Sequence, residues 1–281
     1  DLPKGYQISQ YKQPLVEGGN LAGVKITRIH LEEDTARLVH VKDGSLIDFN
    51  RAGIPLMELV TEPDIRNAEE AVVFAKELQL ILRYLGISDA DMEKGQMRIE
   101  VNISEKAVGS YAGADRTGLG TKVEIKNLNS FRAVEEAIEY EIKRQTEILE
   151  RNEKIVQETR GWDDAKKVTV SQRFKEESHD YRYFPEPDLP PIELSKLNFH
   201  NLRNEIPELP VEKRTRFEKE YGLTPVQTET LISDIQIANY FEEVARELKF
   251  QIPNSKFQIL YNYLTSDLFG LMTEQGIDIK N

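Results

Sequence analysis

Two acids, Glu100 and Glu124, each sit in a short run of alternating polar and apolar residues, flanked two positions away by cations or an amide. In Met97–Ile103 (MRIEVNI) the apolar set is Met97, Ile99, Val101 and Ile103, and the polar set is Arg98, Glu100 and Asn102. In Thr121–Asn127 (TKVEIKN), Val123 and Ile125 alternate with Lys122, Glu124 and Lys126. A period of two turns one set of a strand toward a core and the other toward the opposite face. Gly109, Gly113, Gly118 and Gly120 punctuate the linker, so the runs are expected to pair as a long-looped hairpin. One sheet face then presents two carboxylates, three cations and an amide, a set able to hold metal ions and phosphates. The same residues also serve as plain cross-strand ion pairs, each contributing about 0.2–1 kcal/mol. The alternation fits both.

Other carboxylates have settings of their own. His30–Asp34 (HLEED) places three acids after a strand, as a ligand cluster or as an acidic turn. Glu58 stands alone among Leu56, Met57, Leu59 and Val60. An acid there is costly to bury unless it is paired or bound to a cation. Hard oxygen donors of this kind suit Mg²⁺, which takes a few carboxylates together with substrate phosphates. In Asp180–Asp188 (DYRYFPEPD), Arg182 can fork onto a phosphate or pair with Asp180 or Glu186. His30 and His179 read as structural or surface residues. No GxxxxGK[ST], HExxH or GxSxG pattern is present, and GLGTK (Gly118–Lys122) is only a fragment of a phosphate loop. With no cysteine, thiolate chemistry and disulfides are excluded.

The elements that must position these residues fall into two regions. From the start to about Leu194 strands mix with a few helices, and from about Pro207 the chain reads as helical. Strands are expected at Val24–Leu31, Ile54–Val60 and Val168–Phe174. A helix opens at Asn67 with Glu70 completing a capping box, and Gly86 stops it. A long helix follows Ser130, with a solvated outer face carrying Glu139 and Lys143 and a purely structural role. The prolines of Phe184–Pro191 predict an extended segment. Later helices are expected to start at Thr224–Pro225, at Ser233 and at Ser255.

A length of 281 residues fits about two domains, expected at 1–206 and 207–281. No apolar run reaches membrane-spanning length and no signal peptide is recognisable, so a soluble, cytoplasmic protein is expected. A net charge of −12 argues against a nucleic-acid clamp built from this chain alone.

Taken together, Pro3–Tyr11 (PKGYQISQY), HLEED, Phe49–Ile65 (FNRAGIPLMELVTEPDI), Arg98-x-Glu100-x-Asn102, Lys122–Phe131 (KVEIKNLNSF), Gln157–Asp163 (QETRGWD) and DYRYFPEPD resemble one family. It is the B-subunit family of the aspartyl/glutamyl-tRNA amidotransferases. Ile206–Pro210 (IPELP) and Tyr263–Leu271 (YLTSDLFGL) extend the likeness into the helical region. The resemblance implies an α+β fold. Its first part is an antiparallel-sheet cradle of the glutamine synthetase/guanidino kinase type with flanking helices, and a small all-α domain follows.

It also implies an ATP-dependent carbon–nitrogen ligase. The side-chain carboxylate of Glu-tRNA(Gln) or Asp-tRNA(Asn) is phosphorylated, and ammonia from the glutaminase subunit displaces the phosphate. The implied cofactors are ATP and Mg²⁺. The implied partners are that glutaminase and a small third subunit, together forming a heterotrimer with this one, the tRNA, and a glutamyl-tRNA synthetase. The implied metal ligands and catalytic acids are Glu33, Glu58, Glu100 and Glu124. Arg98, Asn102, Lys122, Lys126 and Arg182 are expected to contact phosphate or carboxylate. The family often has Asp where this chain has Glu100. Its N-terminal strand, with further Glu and His ligands and a channel Lys after it, and its C-terminal tail domain are expected outside Asp1–Asn281. Two other readings remain open from the residues: a scaffold that binds tRNA and glutaminase without chemistry, and a ligase acting on a free amino acid.

Overall fold

Period-two runs become strands and period-3.6 runs become helices in two compact units. The structure, a computed structural model, describes residues 7–106, 119–174, 183–184, 186–248, 257–277 and 279. The first unit comprises Asp1–Lys76 and Met92–Lys196, the second Glu77–Asp91 and Leu197–Asn281. The expected boundary at 206/207 thus lies inside the second unit's long segment.

The first unit begins with β1 (Gln7–Ile8), β2 (Val16–Glu17), β3 (Asn20–Leu21), β4 (Val24–Glu33), β5 (Arg37–Val41), β6 (Gly44–Asp48) and β7 (Pro55–Thr61). It continues with α1 (Ala68–Tyr84), β8 (Ile99–Ile103), β9 (Val123–Leu128), α2 (Phe131–Glu150), β10 (Glu158–Asp163), β11 (Val168–Phe174) and β12 (Tyr183–Phe184). The unit takes α1 only as far as Lys76. β4 is two residues longer than expected, so Glu32 and Glu33 belong to the strand and not to a turn after it. It pairs antiparallel with β2, β3 and β7. β5 and β6 form a separate hairpin, and β1 pairs parallel with β12.

The second large sheet has the order β11-β10-β9-β8. Its β8–β9 and β10–β11 pairs are antiparallel, but β9 and β10 run parallel. The β4 sheet is antiparallel as expected, whereas this second sheet is mixed. The reason is α2: a twenty-residue helix carries the chain back across the sheet, and such a crossover yields a parallel neighbour. Gly120 marks the return of the long linker. A Cβ there would stand 2.0 Å from the Glu105 carbonyl oxygen, so only glycine fits.

Val123 and Ile125 of β9 are fully buried against Val134, Ala137 and Ile138 of α2, with Trp162 beside them. Ser130 caps α2 by accepting the Ala133 N–H, as its sequence predicts. The outer face carrying Glu139 and Lys143 is solvated as expected, while Glu141 and Gln145, on another side of the helix, are fully buried. Glu141 meets Arg144 and Arg160, Arg160 also pairs with Glu158 at 2.6 Å, and Thr169 Oγ1 donates to Glu141 at 2.9 Å. Gln145 donates to Glu141 and accepts the Glu105 N–H, both at 2.9 Å. The buried polar pair on α2 is satisfied by Arg144 of the same helix, by Arg160 of β10, by Thr169 of β11 and by the Glu105 N–H.

The second unit holds α3 (Phe199–Glu205), α4 (Pro210–Tyr221), α5 (Pro225–Ile232), α6 (Ile235–Leu248), α7 (Phe257–Asn262), a π-helical turn at Tyr263–Leu268 and α8 (Phe269–Gln275). Phe217, Leu231, Ile232, Phe241 and Phe257 form its core, with Leu260, Tyr261 and Leu268 packed against it. The Thr224 capping box with Gln227 is present. Asp234, not Ser233, caps α6: its Oδ1 accepts the Gln236 N–H at 2.7 Å, whereas Ser233 Oγ is turned back to the Thr230 carbonyl. Ser255 lies outside the described residues. The proline segment is not extended throughout, since Leu189 N–H bonds the Glu186 carbonyl at 3.1 Å in a turn. Among the described residues no helix is long and apolar enough to cross a membrane.

Candidate functional site

The pairing of β4 with β7 sets His30 opposite Glu58 and Glu32 opposite Leu56. Arg28, His30, Glu32 and Glu58 therefore share one face. His30 is fully buried and Glu32 nearly so. His30 Nε2 lies 3.0 Å from Glu32 Oε1 and 3.3 Å from Glu58 Oε2. Glu32 is gripped from two further directions. Ser9 Oγ donates to its Oε1 and Gln7 Nε2 to its Oε2, each at 2.9 Å. The imidazole meets the Tyr11 ring edge-on at 6.0 Å, and the Arg28 guanidinium lies 4.6 Å from the centre of that ring.

Burial pushes the Glu58 carboxyl above the usual carboxylate range, and the Glu32 carboxylate adds to this. His30 and Arg28 pull it back, and Glu100 raises it further. That last influence joins the two ladders, because Glu100 belongs to β8.

On the second sheet Asn102 stands opposite Glu124, and Thr159 of β10 is the parallel register partner of Glu124. Lys126 Nζ lies 3.2 Å from Glu100 Oε1 and 3.6 Å from Glu124 Oε1. Thr159 Oγ1 donates to Glu124 Oε2 at 2.8 Å. One oxygen of Glu124 thus faces a cation while the other is pinned by a buried hydroxyl.

Do these residues fit a divalent cation? One ligand atom each from His30, Glu32 and Glu58 lies within 4.8 Å of the other two. That spacing suits a shared ion, and a cation would relieve the repulsion felt by Glu58. The carboxylates fit better than the imidazole, because His30 Nδ1 is buried without a hydrogen-bond partner among the described residues. A ligating histidine normally donates its second N–H to an acceptor. His30 is better suited to donate from Nε2 and hold the two carboxylates in place. Oxygen-only donors point to a hard ion such as Mg²⁺.

The expected site residues divide accordingly. Glu100, Glu124 and Lys126 come together on the second sheet, and Glu58 meets His30 and Glu32 on the first. Glu33 falls on the other side of β4, opposite Pro55, with its Oε1 3.9 Å from where a Cβ on Gly53 would stand. Arg98 reaches Asp34 at 3.7 Å, beside an Arg51–Asp34 pair at 2.7 Å. Asn102 and Lys122 are exposed, and Lys122 precedes β9. Arg182 lies outside the described residues, as does His179.

Sequence reasoning named Glu32 only as one acid of the HLEED cluster, read His30 as structural or surface, and missed Thr159. The signal for the first two was present, since Arg28-x-His30-x-Glu32 repeats the alternation of Arg98-x-Glu100-x-Asn102. Nothing local marked Thr159, which becomes part of the site only through the parallel register.

A family model described as the GatB/GatE catalytic domain matches residues 1–200. The chain is similar to the B subunit of the aspartyl/glutamyl-tRNA(Asn/Gln) amidotransferase of Thermodesulfovibrio yellowstonii, 47% identical over 289 residues, covering 100% of this chain and 58% of that protein. The protein of the same name from Caldicellulosiruptor saccharolyticus is 46% identical over 288 residues, covering 99% and 58%. The one from Persephonella marina is 46% identical over 289 residues, covering 100% and 59%. The chain thus spans less than two thirds of the length of the curated relatives it matches.

Proposed function

The chain belongs to the GatB/GatE catalytic domain family, and from that premise we propose that it carries the amide-forming half of a tRNA-dependent amidotransferase. Its substrates are Glu-tRNA(Gln) or Asp-tRNA(Asn), ATP and ammonia, and the reaction runs in the cytoplasm. A glutaminase subunit supplies the ammonia, and the heterotrimer is completed by a small third subunit. An oxygen of the aminoacyl side-chain carboxylate attacks the γ-phosphorus of ATP, the bond to the bridging oxygen breaks, and ADP leaves. Ammonia then attacks the acyl carbon, loses a proton and expels inorganic phosphate, leaving the amide.

The observation that carries this reading is the convergence of Glu100 and Glu124 on Lys126, at 3.2 and 3.6 Å. Phosphoryl transfer between two anions needs positive charge and fixed geometry more than a protein nucleophile. Glu32 with Glu58, and Glu100 with Glu124, would hold Mg²⁺, which would supply that charge neutralisation when bound. Lys126 presents a fixed cation toward phosphate oxygens. Thr159 and His30 keep the carboxylates from swinging away. Glu33, across β4, is not part of the set in this reading.

The test is isotopic. With ¹⁸O in the side-chain carboxylate of the aminoacyl group, one labelled oxygen is expected in the inorganic phosphate for each amide formed. Unlabelled phosphate at full amide yield would mean that no acyl phosphate forms. ATP-independent binding without any amide would leave the scaffold reading.

A further inference from the structure

Two irregularities lie close to β10, one between its neighbour β9 and β8, the other between β10 itself and β11. On the β9 side Lys126 and Asn127 stand opposite the single residue Glu100 of β8, and Asn127 takes the left-handed conformation at φ 65°. On the β11 side the register shifts between Thr159 and Arg160, which leaves Gln172 as the extra residue of β11. Bulges of this kind re-aim side chains and are common beside active sites. Here both re-aimed side chains are carboxamides, and both lean over Gly161. A Cβ on Gly161 would stand 2.0 Å from Gln172 Nε2, 2.6 Å from its Cδ and 2.9 Å from Asn127 Nδ2. The two NH₂ groups therefore converge over a gap that only glycine leaves open.

Gly161 is the register partner of Lys126, two positions from Thr159, which is the partner of Glu124. The amide pair thus lies on the face that carries Lys126 and Glu124. Both side chains are exposed. Neither makes a hydrogen bond to the described residues that would occupy its NH₂ group. Two converging N–H donors beside a cation form a seat for an anionic oxygen.

We propose that Asn127 and Gln172 bind the side-chain carboxylate of the aminoacyl substrate and aim its oxygen at the phosphate held by Lys126. Gly161 is their positioning residue. This rests on the reading of the site given above. The γ-phosphate of ATP offers the same anionic-oxygen chemistry, and the experiment separates the two sources.

The assay uses the complete amidotransferase complex with free ammonia as nitrogen donor, so glutaminase activity does not enter. KM and kcat are measured for aminoacyl-tRNA and for ATP in the wild type, Gln172→Met, Gln172→Glu, Asn127→Gly and Gly161→Ala. Asn127→Gly removes the amide while keeping a residue suited to positive φ. Trp162 fluorescence, next to Gly161, verifies the fold in each. Each of Gln172→Met, Asn127→Gly and Gly161→Ala is expected to lower kcat/KM for aminoacyl-tRNA about tenfold, with KM for ATP within about twofold of wild type. Gln172→Glu keeps the size but turns a donor into an anion, so it should lose more than Gln172→Met. A purely structural role would not order them that way. Unchanged kcat/KM for aminoacyl-tRNA in a folded Gln172→Glu would overturn the proposal, and so would a defect confined to ATP. If the wild-type complex itself makes no amide from ATP and ammonia, the functional reading fails before the variants are compared.

Discussion

Glu58→Gln is expected to lower ATP-dependent amidation by the assembled enzyme about a hundred- to a thousand-fold while leaving the chain at least as stable as wild type. The two halves have one cause. Glu58 is pushed above the ordinary carboxylate range by burial and by Glu32 and Glu100. A carboxyl with a raised pKa holds its proton more tightly folded than unfolded. Its ionisation therefore costs stability as pH rises through the ordinary and then the raised value. At neutral pH the native Glu58 works against the fold, and the neutral amide removes that cost. Such a cost is tolerable in a group whose charge is needed for a cation. Thermal unfolding and amidation, measured on the same preparations, check the pair of outcomes. A stable variant with full activity would separate Glu58 from the chemistry, and an unstable one would make it a structural ion-pair partner of His30.

Arg160→Ala should be the most destabilising single change in the first unit. Arg160 meets Glu141 and Glu158, and both acids are nearly inaccessible. It also donates to Thr169 Oγ1 and to the Thr169 carbonyl, each at 2.8 Å. Removing it leaves two buried carboxylates to share Arg144, and breaking a buried pair costs about 3 kcal/mol or more. The chain's single tryptophan, Trp162, is buried two residues away on the same strand and reports on this unit. The urea midpoint followed by its fluorescence should fall by about 1–2 M. Arg132→Ala, which loses only a solvent-exposed pair with Glu136, should shift it by less than about 0.5 M. Equal shifts would mean that the α2–β10 network contributes no more than a surface ion pair.

What could be read from the sequence was whatever depends on neighbours along the chain. The alternation around Glu100 and Glu124 predicts β8, β9 and their antiparallel pairing, and the caps at Asn67, Ser130 and Thr224 are where their residue types place them. Contacts between distant segments were harder. Glu141 and Gln145 lie on an amphipathic helix whose polar positions look solvated until β10 brings Arg160 against them. The parallel β9–β10 register, and with it Thr159 beside Glu124, depends on how α2 crosses the sheet. Asn127 and Gln172 owe their aim to bulges, which no local pattern announces. His30, expected to be structural or at the surface, is buried between two carboxylates because the strand continues through Glu32 and Glu33.

The most direct test of the sheet-face chemistry is Glu124→Gln in the full complex, with free ammonia as nitrogen donor and tRNA binding verified beforehand. Amidation of Glu-tRNA(Gln) and cleavage of ATP are followed together. The account predicts that both are lost while tRNA stays bound, because Glu124, pinned by Thr159 and facing Lys126, is part of the charge array for phosphoryl transfer. Wild-type rates of both would contradict it, and would return Glu124 to the role of a cross-strand ion-pair partner.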